Sequence, residues 1–111
     1  MLEMLIALAT GVALAGMARR ADARLPPADR LPMQWWLTGE VTWTAPRRVA
    51  LGFIPSLGTT VLASAAIAMQ MFEPRAGQEG QELRAMLVLA LTFLGSYLLH
   101  LRLIAWTLRR R

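Results

Sequence analysis

The chain has 111 residues, of which 56% are hydrophobic, and its formal net charge is +5. This apolar content and the positive mean hydropathy exclude an ordinary soluble domain and are typical of a membrane protein. The absence of cysteine excludes disulfides and thiolate chemistry, and a single histidine argues against a zinc centre. We therefore predict one integral membrane domain over residues 1–111, all-α, with three transmembrane helices.

The positive charge comes entirely from arginine. In a soluble protein a pI of about 11.5 indicates nucleic-acid binding. Here the arginines lie beside apolar segments, where they set topology and contact anionic lipid headgroups, and no basic patch is interleaved with stacking aromatic residues. We therefore expect membrane lipids and other transmembrane helices as partners, and no nucleic acid.

The first apolar segment predicts a transmembrane helix over residues 2–18. Its length is near the lower limit of about 17 to 25 residues for a membrane span. A cleaved signal peptide is the alternative, because Ala13-Leu14-Ala15 resembles a cleavage site. Signal peptides carry positive charge before their apolar stretch, whereas this segment has Glu3 before it and a pair of arginines after it. That polarity favours an uncleaved helix whose N-terminus lies outside.

A proline- and tryptophan-rich interfacial segment is predicted over residues 19–47. Three prolines deny it a continuous helix, because each fixes φ, lacks an N–H and disfavours helical geometry in the residue before it. Tryptophan rings favour the layer where headgroups meet water. The predicted anchors at this layer are Trp35, Trp36, Trp43 and Gly39. Residues 41–44 alternate apolar and polar over too few positions to predict a strand, so we expect an extended or turn-like segment.

The sequence LPPADRLPMQWWLTGEV, residues 25–41, resembles the signature of a membrane domain of unknown function in SdpI-like bacterial proteins. Leu25-Pro26, Pro32, Trp35 and Gly39 supply its Leu-Pro pair, proline, tryptophan and glycine. Gln34 stands where that family has histidine, so a proton-binding or metal-binding role of the histidine does not carry over. The resemblance covers about residues 1–70 and implies an immunity or signal-sensing membrane protein. The relatives carry further membrane helices, which this chain lacks.

The second helix is predicted over residues 48–72, with Pro55 inside it, and it has no charged residue from residue 49 onward. Small residues recur at every fourth position and form one stripe, which allows another helix to approach closely. The predicted partner-binding residues on this stripe are Gly52, Ser56, Thr60 and Ser64.

The third helix is predicted over residues 83–108, after an acidic external turn at residues 73–82. Thr92, Ser96 and His100 are spaced by four, so they share a helix face and are expected to point into protein rather than lipid. The arginines between helices 1 and 2 and at the C-terminus predict that the N-terminus lies outside and the C-terminus in the cytoplasm of a bacterial inner membrane.

Motifs of catalysis are missing from the sequence, which has no nucleophile–base pair, phosphate loop or paired carboxylate site. We therefore predict a protein that is not an enzyme and has no cofactor. His100 is the one candidate cofactor ligand, for a haem or chlorophyll, but a hydrogen bond to a neighbouring helix is the favoured reading because no second axial ligand is visible. Two functions remain: an accessory or structural subunit of a larger membrane complex, or a stand-alone SdpI-like immunity or sensing protein.

Overall fold

The computed structural model describes residues 2–71 and 81–110, which form three helices and one two-stranded hairpin. The helices are α1 (Leu2–Arg24), α2 (Arg47–Met71) and α3 (Gln81–Arg109), and the strands β1 (Arg30–Trp35) and β2 (Val41–Pro46) lie between α1 and α2. Each helix is long and apolar enough to cross a membrane. The prediction of three helices long and apolar enough to span a membrane is therefore confirmed.

The helix ends differ from the predicted ones. α1 continues past Ala18 to Arg24, because the alanines and arginines that follow are good helix formers. It stops before a proline pair, and its last turn closes with a 2.8 Å bond from the Leu25 N–H to the Ala21 carbonyl. α3 begins at Gln81, so the last two residues of the predicted external turn belong to the helix. Residues 72–80, which include the rest of that turn, lie outside the described residues.

The antiparallel hairpin corrects the prediction of an all-α fold with an irregular interfacial segment. Leu31 pairs with Ala45 and Trp35 with Val41, and the register shifts on both sides of Gln34. The connection is a turn in which the Gly39 N–H donates to the Trp36 carbonyl at 2.9 Å. Gly39 has a φ of 90°, the left-handed conformation that such hairpin turns favour in glycine. The strands pair through backbone hydrogen bonds. An alternating pattern as short as that of residues 41–44 does not reveal such pairing.

The three helices pack with α1 and α3 parallel and α2 antiparallel to both. One end of the core brings together Ala7, Ala66 and Met86, and the other end is built around Leu51 and Ile104. At mid-height, a Cβ placed on Gly58 would lie 3.0 Å from Leu14 Cδ1 and 3.1 Å from the Phe93 ring. Gly58 therefore allows the helices to approach closely, and the residues of α2 that face the core are a different set from the predicted stripe.

The proline inside α2 has its compensating partner on α3. Pro55 has no N–H, so the carbonyl of Leu51, four residues earlier, loses its helical donor. The fully buried Tyr97 side chain donates its hydroxyl to that carbonyl at 2.7 Å. In a hydrocarbon environment an unpaired carbonyl is costly, and a neighbouring helix is one of the means that restore its hydrogen bond. This bond fixes the register of α3 against α2.

Replacing Tyr97 with phenylalanine removes this hydroxyl at nearly constant volume. We expect the unfolding free energy, measured by denaturation in mixed micelles, to fall by about 1 kcal/mol, because the Leu51 carbonyl then has no donor. In a Pro55→Ala background the helix regains its own N–H donor to Leu51, so the same Tyr97→Phe change should cost less. An equal cost in the two backgrounds would contradict this account of the bond.

Candidate functional site

The hairpin end of the bundle gathers arginines from all three helices and from β1. The C-terminal ends of α1 and α3 and the N-terminal end of α2 meet there. The arginines at this end are Arg19, Arg20, Arg24, Arg30, Arg47, Arg48, Arg102, Arg109 and Arg110. The first turns of α1 and α3, at the opposite end, carry Glu3 and Glu82. The bundle therefore has a strongly basic end that is capped by the hairpin.

Arg47 joins the segment after α1 to the start of α2. Its Nε atom donates to Asp22 Oδ1 at 2.6 Å, and Nη2 donates to the Asp22 carbonyl at 2.9 Å. Nη1 donates to the carbonyls of Pro26, at 3.0 Å, and Ala28, at 3.2 Å. The backbone N–H of Arg47 donates to the backbone carbonyl of Asp29 at 2.8 Å. A guanidinium group offers five donors in a planar fork, which an ammonium group does not. The sequence indicated only a topology-setting charge at this position.

Trp35 docks the hairpin onto α3. Its indole Nε1 donates to the Thr107 hydroxyl at 2.7 Å, and Thr107 is 2% exposed. The ring packs on a buried cluster that contains Leu31 and Ala45 from the hairpin and Ile104 from α3. Trp35 was predicted as an interfacial anchor beside Trp36, but it binds within the chain itself. The acceptor hydroxyl of Thr107 is buried beside this apolar cluster, so leaving it unpaired is costly.

His100, the predicted candidate ligand, lies against the same tryptophan. The two rings meet edge to face, with their centroids 5.8 Å apart. The His100 Nε2 atom is buried and has no hydrogen-bond partner within residues 2–71 and 81–110. In that part of the chain, no cluster of three or more histidines and carboxylates is placed to hold a metal ion. The geometry gives His100 a packing role beside Trp35. The favoured interpretation, a hydrogen bond to a neighbouring helix, is not met at Nε2 within the described residues, and the alternative of cofactor ligation is untested.

Trp106 of α3 and Arg110, which follows that helix, contact the hairpin turn at Gly39. Arg110 donates from Nη2 to the Gly39 carbonyl, and its guanidinium carbon lies 4.2 Å from the centroid of the Trp106 ring. A Cβ on Gly39 would lie 3.1 Å from the Trp106 ring edge. The positive φ favours glycine, and a Cβ at this distance would force the Trp106 ring to shift. Gly39 was predicted as an interfacial anchor, and here it is a contact point between the turn and α3.

Trp36 and Trp43 present their rings outward. Trp36 is 66% exposed and Trp43 is 52% exposed, whereas the adjacent Trp35 is partly buried. Neighbouring residues of an extended chain point to opposite sides, so the tryptophan pair is divided between the core and the surface. These two exposed rings at the basic end are placed to enter a headgroup layer, and this anchoring stays a prediction.

The small-residue stripe of α2 faces away from the other two helices. Ser56, Thr60 and Ser64 are exposed, and a Cβ on Gly52 would meet nothing within 4 Å. Gly52, Ser56 and Thr60 of this stripe line a shallow groove of about 540 Å³, bordered by the larger side chains of Phe53 and other residues of the same helix, and Ser64 lies outside it. The described part of the chain places no helix in this groove.

Two of the three residues of the polar face predicted on α3 point to the surface. Thr92 and Ser96 are exposed, and the Thr92 hydroxyl donates to the Val88 carbonyl of its own helix at 2.7 Å. Only His100 of the predicted three packs against another element of the chain. Thr92 and Ser96 face outward from the chain, and their partner-binding role stays a prediction.

Comparisons of the chain with protein-family models, with curated proteins and with solved structures found no match. The resemblance of residues 25–41 to SdpI-like proteins therefore stays a prediction that depends on the motif alone.

The Trp35–Thr107 hydrogen bond is testable with a double-mutant cycle. Thr107→Val leaves a half-buried indole N–H without its acceptor, and Trp35→Phe removes the donor. We expect a coupling energy of about 1 kcal/mol between the two substitutions in unfolding measurements. Trp36→Phe is the matched control, because its ring is exposed, and it should show no coupling to Thr107→Val. A coupling energy near zero for the Trp35 pair would refute the docking role.

Proposed function

We propose that this chain is a small, non-enzymatic integral membrane protein that serves as an accessory or structural subunit, with α2 packed against a transmembrane helix of a larger bacterial membrane complex. The observation that carries the proposal is the outward groove along Gly52, Ser56 and Thr60, which the chain's own helices leave open. A second copy of the chain is the other partner that this groove fits.

The groove has the features by which membrane helices recognise each other. Lipid tails are as apolar as leucine, so helices associate in a bilayer through close packing and interhelical hydrogen bonds rather than through the hydrophobic effect. Gly52 allows a close backbone approach, and the Ser56 and Thr60 hydroxyls have no side-chain hydrogen-bond partner within the described residues. A helix seated here gains dispersion contacts with the groove walls and with Phe53.

The proposed orientation follows from the charge asymmetry of the bundle. The basic end, with the hairpin and the C-terminal turns of α1 and α3, is assigned to the cytoplasm of a bacterial inner membrane, because short cytoplasmic loops carry an excess of arginine. Reporter fusions after Arg24 and at the C-terminus should report a cytoplasmic location. A fusion at Gly77, which lies outside the described residues, should report an external one. A cytoplasmic Gly77 reporter would overturn the assignment.

Substitution of the groove by leucine tests the subunit proposal. Gly52→Leu and Ser56→Leu fill the groove without touching the core, so we expect loss of the associated protein or of the self-associated form after gentle detergent extraction. Gly16→Leu is the matched control, because Gly16 is an exposed glycine of α1 whose Cβ would also meet nothing within 4 Å. Ala50 is unsuitable as a control, since it is fully buried beneath the hairpin.

The result separates a subunit of a larger complex from a stand-alone membrane protein. Loss of assembly in the groove variants, with assembly retained in Gly16→Leu, supports the subunit proposal. If the wild-type chain is a monodisperse monomer and all three variants behave like it, the groove faces lipid and the subunit proposal fails. The absence of cysteine allows a second readout, because Ser56→Cys introduces a lone thiol whose disulfide cross-linking in membranes would identify a second copy as the partner.

A further inference from the structure

A cleft between α1 and α3 lies at the basic end, on a different side of the bundle from the α2 groove. It encloses about 460 Å³. Four arginines line it, two from the α1 wall and two from the α3 wall, and apolar side chains, which we call its floor, complete the lining. The residues that matter are Arg20, Arg24, Arg102 and Arg109 on the walls and Leu98 and Leu101 on the floor.

The four arginines line the cleft without a compensating carboxylate. No acidic side chain lines the cleft. Within residues 2–71 and 81–110 none of the four has an ion-pair or hydrogen-bond partner, in contrast to Arg47, which is held by Asp22. Arg20 and Arg24 lie one turn apart on α1 and so face the same way. The cleft is therefore a site of uncompensated positive charge above an apolar surface.

The depth of the cleft in the membrane follows from helix geometry. A hydrocarbon core of about 30 Å takes about 20 helical residues. Counted from Ala85, where the apolar part of α3 begins after Arg84, this length ends at Ile104, so Arg102 lies at the inner boundary of the core and its long side chain reaches the headgroups. Arg109 lies about 10 Å further toward the water than Arg102. On α1 the apolar part ends just before Arg19. The arginines thus lie at the level of the headgroups, and Leu98 lies at the level of the acyl chains.

We propose that this cleft binds one anionic phospholipid from the cytoplasmic leaflet. Arginine forks hold the phosphate oxygens, for which bidentate guanidinium contacts are suited. The first part of an acyl chain lies along Leu98 and Leu101. Free inorganic phosphate would use the arginines but not the apolar floor, whereas a phospholipid satisfies both. The proposal does not depend on the subunit function, since it concerns α1 and α3 rather than the α2 groove. Its assignment to the cytoplasmic leaflet rests on the orientation proposed above.

The test uses the full-length chain, purified in a mild detergent and examined by native mass spectrometry. Phosphatidylglycerol and phosphatidylcholine with identical acyl chains are added separately, and inorganic phosphate is added in a third arm. We expect one retained phosphatidylglycerol and at least tenfold weaker retention of phosphatidylcholine. Inorganic phosphate should neither be retained nor displace the lipid at comparable concentration.

Two pairs of substitutions separate the cleft from general surface charge. Arg24→Gln with Arg102→Gln removes one charge from each wall and should weaken phosphatidylglycerol retention by about fivefold for each arginine. Arg19→Gln with Arg48→Gln removes the same total charge from exposed positions outside the cleft and should have little effect. Ala105→Glu keeps every arginine but places a carboxylate in the cleft, and it should also weaken retention.

Three results would overturn the proposal. Equal losses in the two double-glutamine variants would show that the lipid responds to net charge and not to the cleft. Retention of inorganic phosphate as strong as that of phosphatidylglycerol would identify free phosphate as the ligand. A lipid-free dimer that only the cleft variants abolish would make a second chain the occupant. Circular dichroism and a single monodisperse peak for each variant ensure that a loss of retention is not a loss of fold.

Discussion

The helical bundle depends on the requirement that a backbone carbonyl in hydrocarbon must have a donor. Pro55 breaks this condition inside α2, and Tyr97 of α3 restores it at the Leu51 carbonyl. A lipid tail cannot supply this hydrogen bond, so the two helices are bound to one register. The hairpin packs on the surface that this register creates, since Leu51 and Ile104 belong to the cluster beneath it. The docking of Trp35 on Thr107 lies on the same surface.

Within residues 2–71 and 81–110, the backbone that connects the helices lies at the basic end of the bundle. The chain between α1 and α2 satisfies its polar groups through the strand ladder, the Arg47 fork and the Arg110 contact with Gly39. Arg47 and Arg110 have such partners and hold the fold, whereas the four arginines that line the α1–α3 cleft have none within the described residues. This division between structural and uncompensated arginines supports the proposed lipid site. The open face of α2 is free to serve a separate role, toward another helix.

The sequence by itself determined the three long apolar helices, the concentration of arginine around the first connection and the C-terminus, and the presence of a proline inside α2. These properties follow from composition and local spacing, which are legible without knowledge of the fold. The sequence also predicted Trp35, Trp36, Trp43 and Gly39 as anchors at the membrane interface, which stays a prediction. It could not divide the tryptophans between core and surface, because that division depends on which face of the hairpin meets α3.

Only the tertiary structure decided which residues meet. The pairing of β1 with β2, the bond from Tyr97 to Leu51 and the contact of Arg110 with Gly39 join residues far apart in the chain. Spacing along one helix cannot encode such contacts, since they depend on the relative rotation and height of separate elements. The same reason explains the α2 stripe: its periodicity predicted one face of small residues, but the packing of Gly58 against Leu14 and Phe93 decided that this face points outward.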